Sequence, residues 1–128
     1  MPTIGIIIVD HGSRRKESNR LLEQVADAFA RRFRRRYHIV EPAHMEISEP
    51  TIATAYAKAV QRGATRIIVC PYFLGPGKHW THDIPRLTAA SAAIFPQTSF
   101  RITPTLGLDD LILDLLDKRV RQRRRHER

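Results

Sequence analysis

Residues 4–19, IGIIIVDHGSRRKESN, decide the fold. Ile4 and the run Ile6–Val9 put apolar side chains on both faces of an extended chain. That is the pattern of a strand buried between helical layers in a parallel sheet. Asp10, His11, Gly12 and Ser13 follow at once, and a charged segment with helical periodicity comes next. The turn after such a strand is where open α/β sheets hold ligands. His11 either faces a ligand there or bonds within its own turn, and position alone leaves both readings open.

Working outward, Leu21, Leu22, Val25, Phe29 and Phe33 recur at helical spacing and predict an amphipathic helix over about Lys16–Arg35. His38–Ile47 starts strand-like, but Pro42 cannot donate to a ladder, which places this strand at a sheet edge. Ser48 can cap the next helix, Thr51–Arg62, with Pro50 in its first turn and Gly63 as its stop. Arg66–Pro71 reads as the third strand. A loop with Gly75, Pro76 and Gly77 leads into a helix over about Thr81–Phe95, with Pro85 in its first turn. Phe100–Thr103 is a short fourth strand. A last helix begins at Asp109 or Asp110 and carries Leu111, Ile112, Leu115, Leu116 and Val120 on one face. Four β-α units with short connections imply an α/β domain, a four-stranded parallel sheet with helices on both faces. With the second strand at an edge, the economical order is 2-1-3-4, and the switch point falls between strands one and three. Residues 1–120 are expected to form one domain, and 121–128 a basic tail.

The 128 residues carry a net charge of +9, unevenly placed. Lys118–Arg128 holds seven Lys or Arg against one Glu, and five arginines fall between Arg31 and Arg36. Both runs read most simply as solvated helix ends, where cations meet the helix dipole favourably. Neither has the aromatic interleaving or zinc-finger spacing that would support nucleic-acid recognition, so no nucleic-acid partner is expected. A basic body suits a small polyanion. The single cysteine, Cys70, excludes an internal disulfide framework and lies in an apolar run, as an inert core thiol does. No apolar stretch approaches the ~20 residues of a membrane span. The first strand begins too early to leave room for a signal peptide. A soluble, cytoplasmic protein with no membrane partner is expected.

Three ionisable residues fall at one edge of this sheet. His11 follows strand one, Glu46 ends strand two, and His79 lies in the loop or helix start after strand three. Two imidazoles and a carboxylate suit a borderline divalent metal, and equally suit proton abstraction near neutral pH. His82 can share the helical face of His79, with Asp83 as an orienting partner. The plainer reading makes His79, Trp80 and His82 an ordinary amphipathic helix start. His38, His44 and His126 lack comparable placement; His44 reads as strand-edge and His126 as tail. No HExxH, CxxC, Walker or GxGxxG motif is present.

VDHGSRRKESN at 9–19, EPAHMEISEPTI at 41–52 and PYFLGPGKHWTHDIP at 71–85 resemble the class II chelatases. The similarity is to their short, single-domain sirohydrochlorin chelatases, and especially to the plant and cyanobacterial ferrochelatase branch. It spans roughly Ile4 to Asp117. The resemblance implies a chelatase-like fold and a lyase that inserts Fe²⁺, giving sirohaem, or Co²⁺, toward cobalamin, into sirohydrochlorin. The metal is then a substrate, and no organic cofactor is implied. His11 and His79 are the implied metal ligands or pyrrole bases, and Glu46 the implied aid to metal delivery or proton removal. Ser13, Arg14, Arg15, Lys78 and Trp80 are the expected substrate contacts, with His82 and Asp83 behind them. Two-domain relatives are twice as long, so a homodimer with facing clefts is expected. Tyr72, Phe73, Leu74 and Trp80 are candidates for the pairing surface or for stacking on the tetrapyrrole, unless Phe73 and Leu74 finish the core. The cysteine region at the C-terminus of plant relatives has no counterpart, so an iron–sulfur cluster is not expected. Rival readings are a non-catalytic carrier of cobalt, nickel or iron, and a basic nucleic-acid module.

Overall fold

A computed structural model describes residues 1–123, with the side chains of Lys78 and His79 outside the description. The elements run β1 (Ile4–Asp10), α1 (Lys16–Arg32), β2 (Ile39–His44), α2 (Ile52–Gln61), β3 (Arg66–Pro71), α3 (Lys78–Ile94), β4 (Ser99–Ile102) and α4 (Asp110–Arg121). The four strands form one parallel sheet in the order β2-β1-β3-β4, as the position of Pro42 predicts. In β1–β2 pairing Gly5 stands against Ile39 and Asp10 against His44.

The alternation of β1 side chains divides the core. Ile7 and Val9 pack with Ile52, Tyr56 and Ile84 on the side of α2 and α3. Ile6 and Ile8 pack with Leu22 and Ala26 of α1 on the other. Helix α1 thus buries Leu22 and leaves Leu21 exposed, because adjacent residues cannot share one face. It stops at Arg32, short of the expected Arg35, where the Phe33 N–H closes the last turn on the Phe29 carbonyl.

Several boundaries differ from the sequence expectation. Thr51, not Ser48, caps α2, its side chain accepting from the Thr54 N–H. The Glu49–Pro50 bond is cis, and Pro50 precedes the helix instead of lying in its first turn. Helix α3 starts at Lys78, three residues early, which puts Pro85 inside it. Proline removes the N–H that would meet the Thr81 carbonyl. Helix α4 begins as expected, with the Asp109 side chain accepting from the Leu111 N–H. Yet none of its residues is buried, and Leu111, Leu116 and Val120 are 77 %, 61 % and 77 % exposed. The apolar face is present, but nothing among the described residues buries it. Of the expected tail, residues 124–128 lie outside the described residues.

Candidate functional site

Beyond their strands, β1 and β2 stay paired. Met45 N–H donates to the Asp10 carbonyl at 2.8 Å and Glu46 N–H to the His11 carbonyl at 3.2 Å. This extension carries His11 and Glu46 side by side past the sheet's C-terminal edge. Glu46 therefore stands two residues beyond β2, not at its end. Ile47 follows at φ +76°, costly for a β-branched residue, and turns the chain away.

His11 Nε2 and Glu46 Oε1 are 3.5 Å apart, both about half exposed. His11 Nδ1 lies 3.3 Å from the Gly12 carbonyl, which can only accept, so Nδ1 carries the proton. Nε2, the other ring nitrogen, faces the carboxylate. At 3.5 Å this is a poor hydrogen bond. It is close to the separation, about 3.4 Å, of two ligands on one tetrahedral ion with bonds of about 2.0–2.1 Å. One nitrogen of His11 thus bonds within its own turn, and the other faces Glu46. Among the described residues, no three His, Cys, Asp or Glu converge on a metal position. The side chain of His79 falls outside them. Its backbone sits in the first turn of α3, across the β1–β3 switch point from His11.

Ser13 serves its own turn. Its N–H donates to Asn19 Oδ1 at 2.9 Å, its carbonyl accepts from Asn19 Nδ2 at 2.7 Å, and its hydroxyl accepts from the Arg15 N–H at 3.0 Å. Asn19, a buried clamp on α1, was not singled out by the sequence. Arg14 and Arg15 are exposed at the start of α1. Neither the Arg15 nor the Gly77 cap makes a side-chain hydrogen bond to its helix, whereas Thr51 and Asp109 do. The uncapped N-termini of α1 and α3 are thus free to meet anionic groups. Trp80 donates from Nε1 to the Gly75 carbonyl at 3.2 Å, stacks on Phe73 with ring centres 4.6 Å apart, and sets its edge against His11 at 6.1 Å. Phe73 packs against the core, while Leu74 is 71 % exposed. An apolar cleft of about 340 Å³ adjoins Trp80, lined also by Pro71, Pro76, Ile84 and Pro104. Neither His11 nor Glu46 lines it, so it is a shelf beside the pair. His82 is exposed, and Asp83 pairs with Arg86 at 3.4 Å instead of with a histidine. Burial pushes the Cys70 thiol up, against smaller opposing effects of a Thr103 hydrogen bond and Arg101, which keeps it a poor nucleophile.

His44 corrects the strand-edge reading. Its ring is fully buried at the end of β2, Nδ1 lying 2.6 Å from Asp10 Oδ1 and Nε2 3.0 Å from Glu23 Oε2. Carboxylates only accept, so both nitrogens donate and the ring is an imidazolium. Burial alone would lower its pKa, but the hydrogen bonds and charges of Glu23 and Asp10 outweigh it and hold the value above the ordinary one. A raised folded-state pKa means the pairs stabilise fully below the unfolded histidine value of about 6.5, and that stability is lost as pH rises through the folded value. Melting temperatures taken from about pH 6 to about pH 9 are therefore expected to fall in the parent, and to fall less in His44→Gln. Equal slopes in the two proteins would show that the His44 charge contributes nothing.

The fold and the pair define a class: an open parallel α/β domain presenting an imidazole and a carboxylate, in metal-ligand spacing, beside its topological switch point. The chain belongs to the CbiX family, whose model matches residues 5–123. It is 52 % identical over 116 residues to the chloroplastic sirohydrochlorin ferrochelatase of Arabidopsis thaliana, covering 91 % of this chain and 51 % of that protein. It is 33 % identical over 120 residues to the sirohydrochlorin cobaltochelatase of Sulfolobus acidocaldarius, covering 91 % and 89 %. The structure of the sirohydrochlorin chelatase SirB from Bacillus subtilis subspecies spizizenii, in complex with cobalt, matches with a TM-score of 0.77 and 31 % identity, over 92 % of this chain and 50 % of that one. The chain thus spans about half the length of the plant and Bacillus relatives and most of the archaeal one. No helix among the described residues is long and apolar enough to cross a membrane.

Proposed function

We propose that this chain is a sirohydrochlorin chelatase, a lyase that inserts a divalent metal, Fe²⁺ or Co²⁺, into the tetrapyrrole. The observation that carries the reading is the 3.5 Å gap between His11 Nε2 and Glu46 Oε1. In this reading the metal substrate bridges that gap, with His79 as a further ligand from α3. The substrate's carboxylates meet the uncapped N-termini of α1 and α3, with Arg14, Arg15 and Lys78 nearby. The macrocycle lies against Trp80. As the metal passes to four ring nitrogens, two pyrrole protons leave, and Glu46 and His11, freed of the metal, accept them. Charge balances, because M²⁺ replaces two H⁺. A reducing aqueous compartment such as the cytoplasm suits ferrous iron and a chain with one cysteine.

The names of the relatives, one acting with iron and the other with cobalt, support both metals. The direct test mixes protein, sirohydrochlorin and Fe²⁺ or Co²⁺ and follows the Soret band. Insertion faster than the spontaneous reaction is expected. Tight metal binding with no acceleration would make the protein a carrier.

One such domain gives a flat macrocycle a single wall, whereas ligand sites enclose most of a ligand's surface. Relatives twice as long, such as SirB, have chain enough for a second wall. Here a second copy supplies it by two-fold pairing. The unburied apolar face of α4, together with Leu74 and Tyr72, gives the pairing surface. Sedimentation at micromolar concentration is expected to report twice the 14.7 kDa chain mass, and Leu116→Glu is expected to shift it toward monomer. A monomer that inserts metal at full rate would refute the shared site.

A further inference from the structure

We propose that His44 is a positioning residue for metal insertion: its buried ring fixes the Asp10 carboxylate that shapes the His11 turn, and so sets the gap between His11 and Glu46. The proposal rests on the function proposed above. His44 is wholly buried, out of reach of a substrate outside the fold, so it acts through others. Asp10 Oδ1 accepts from two groups, His44 Nδ1 at 2.6 Å and the Gly12 N–H at 3.1 Å. The first bond aims the carboxylate, and the second transmits that aim to the peptide that follows His11. Glu46 is two residues from His44 on the same strand extension, and its N–H reaches the His11 carbonyl. Both reacting side chains are therefore referred to one ring. The other end of that ring is held by Glu23, on α1. β1, β2 and α1 are thereby tied together directly beneath the site. An apolar residue of equal size would fill the space, yet leave Asp10 free to turn toward water and Gly12 without a fixed acceptor.

Two amides separate positioning from mere support. His44→Asn places its amide nitrogen where Nδ1 stands and keeps the bond to Asp10 while losing Glu23. His44→Gln reaches toward Glu23 and loses Asp10. Each variant gives up one partner, so a purely structural role predicts similar losses for both, in step with the melting temperature. Positioning predicts an asymmetry. In His44→Gln, kcat for insertion is expected to fall about 10–100-fold with KM for sirohydrochlorin unchanged, and in His44→Asn to stay within about 3-fold of the parent. The His11 ring resonances in NMR spectra of the apoprotein should move in His44→Gln and hold in His44→Asn. Equal kcat losses that track stability, or wild-type kcat in His44→Gln, would overturn the proposal. If the parent inserts no metal, the proposed function falls, and the His11 resonances alone decide the positioning claim. Should neither variant fold, Asp10→Asn weakens the same contact from the other side and is read by the same kcat and resonance shifts. Unmoved values there would overturn it.

Discussion

Replacing His11 with alanine is expected to lower kcat/KM for metal insertion by at least about 100-fold while leaving the fold intact. The reason is chemical. Nε2 faces Glu46 at 3.5 Å, and in the proposed mechanism alanine removes both a metal ligand and a proton acceptor at once. Stability should hardly change. The ring is half exposed, its turn contact is a long 3.3 Å bond to the Gly12 carbonyl, and its aromatic contact is an edge at 6.1 Å from Trp80. Such surface contacts contribute no more than about 0.5 kcal/mol. Soret-band kinetics and a thermal melt on the same preparation check both halves. Wild-type turnover in the variant would remove His11 from the mechanism, and the metal would then have to be held elsewhere.

The sheet was legible because its determinants are local. An apolar run on both faces marks a central strand, and Pro42 at an edge orders the rest. His11 was legible for the same reason, since a residue directly after a central parallel strand has only one place to be. His44 was not. Whether a histidine ending β2 is a solvent-facing edge group or a buried cation depends on Asp10 and Glu23, which lie 34 and 21 residues away in sequence. No period or spacing carries that information. Asn19 was missed likewise, because its clamp on Ser13 closes over six residues and resembles no standard cap. The face of α4 was legible as apolar, but its lack of cover was not. Periodicity reports that a face needs cover, and does not say which molecule provides it.

Gly12→Ala is expected to cost more than alanine at any other glycine of this chain. Gly12 sits at φ +91°, where an L side chain costs about 1–2 kcal/mol. The greater obstacle is space. A Cβ there would lie 1.9 Å from the Glu46 carbonyl oxygen, 3.0 Å from its carbon, and 3.3 Å from the Cβ of His44. All but the last are backbone atoms, and that backbone is held to β1 by the Met45 and Glu46 N–H bonds to the Asp10 and His11 carbonyls. The methyl can be seated only by driving the two strand extensions apart. That movement widens the His11–Glu46 gap, breaks the Gly12 N–H bond to Asp10, and loosens the cradle of His44. Activity is expected to fall about 100-fold, since a displacement near 1 Å at reacting groups has that effect. Stability should fall by about 3 kcal/mol from strain and lost bonds together. Gly63→Ala is the control. Gly63 also has positive φ, +106°, but nothing lies within 4 Å of its added Cβ. It should lose about 1 kcal/mol from strain and keep full activity. Denaturant melts and insertion kinetics on the two variants separate the contributions. If the Gly12 variant matches the Gly63 variant in both, the close approach of Glu46 to the His11 turn does not govern the site.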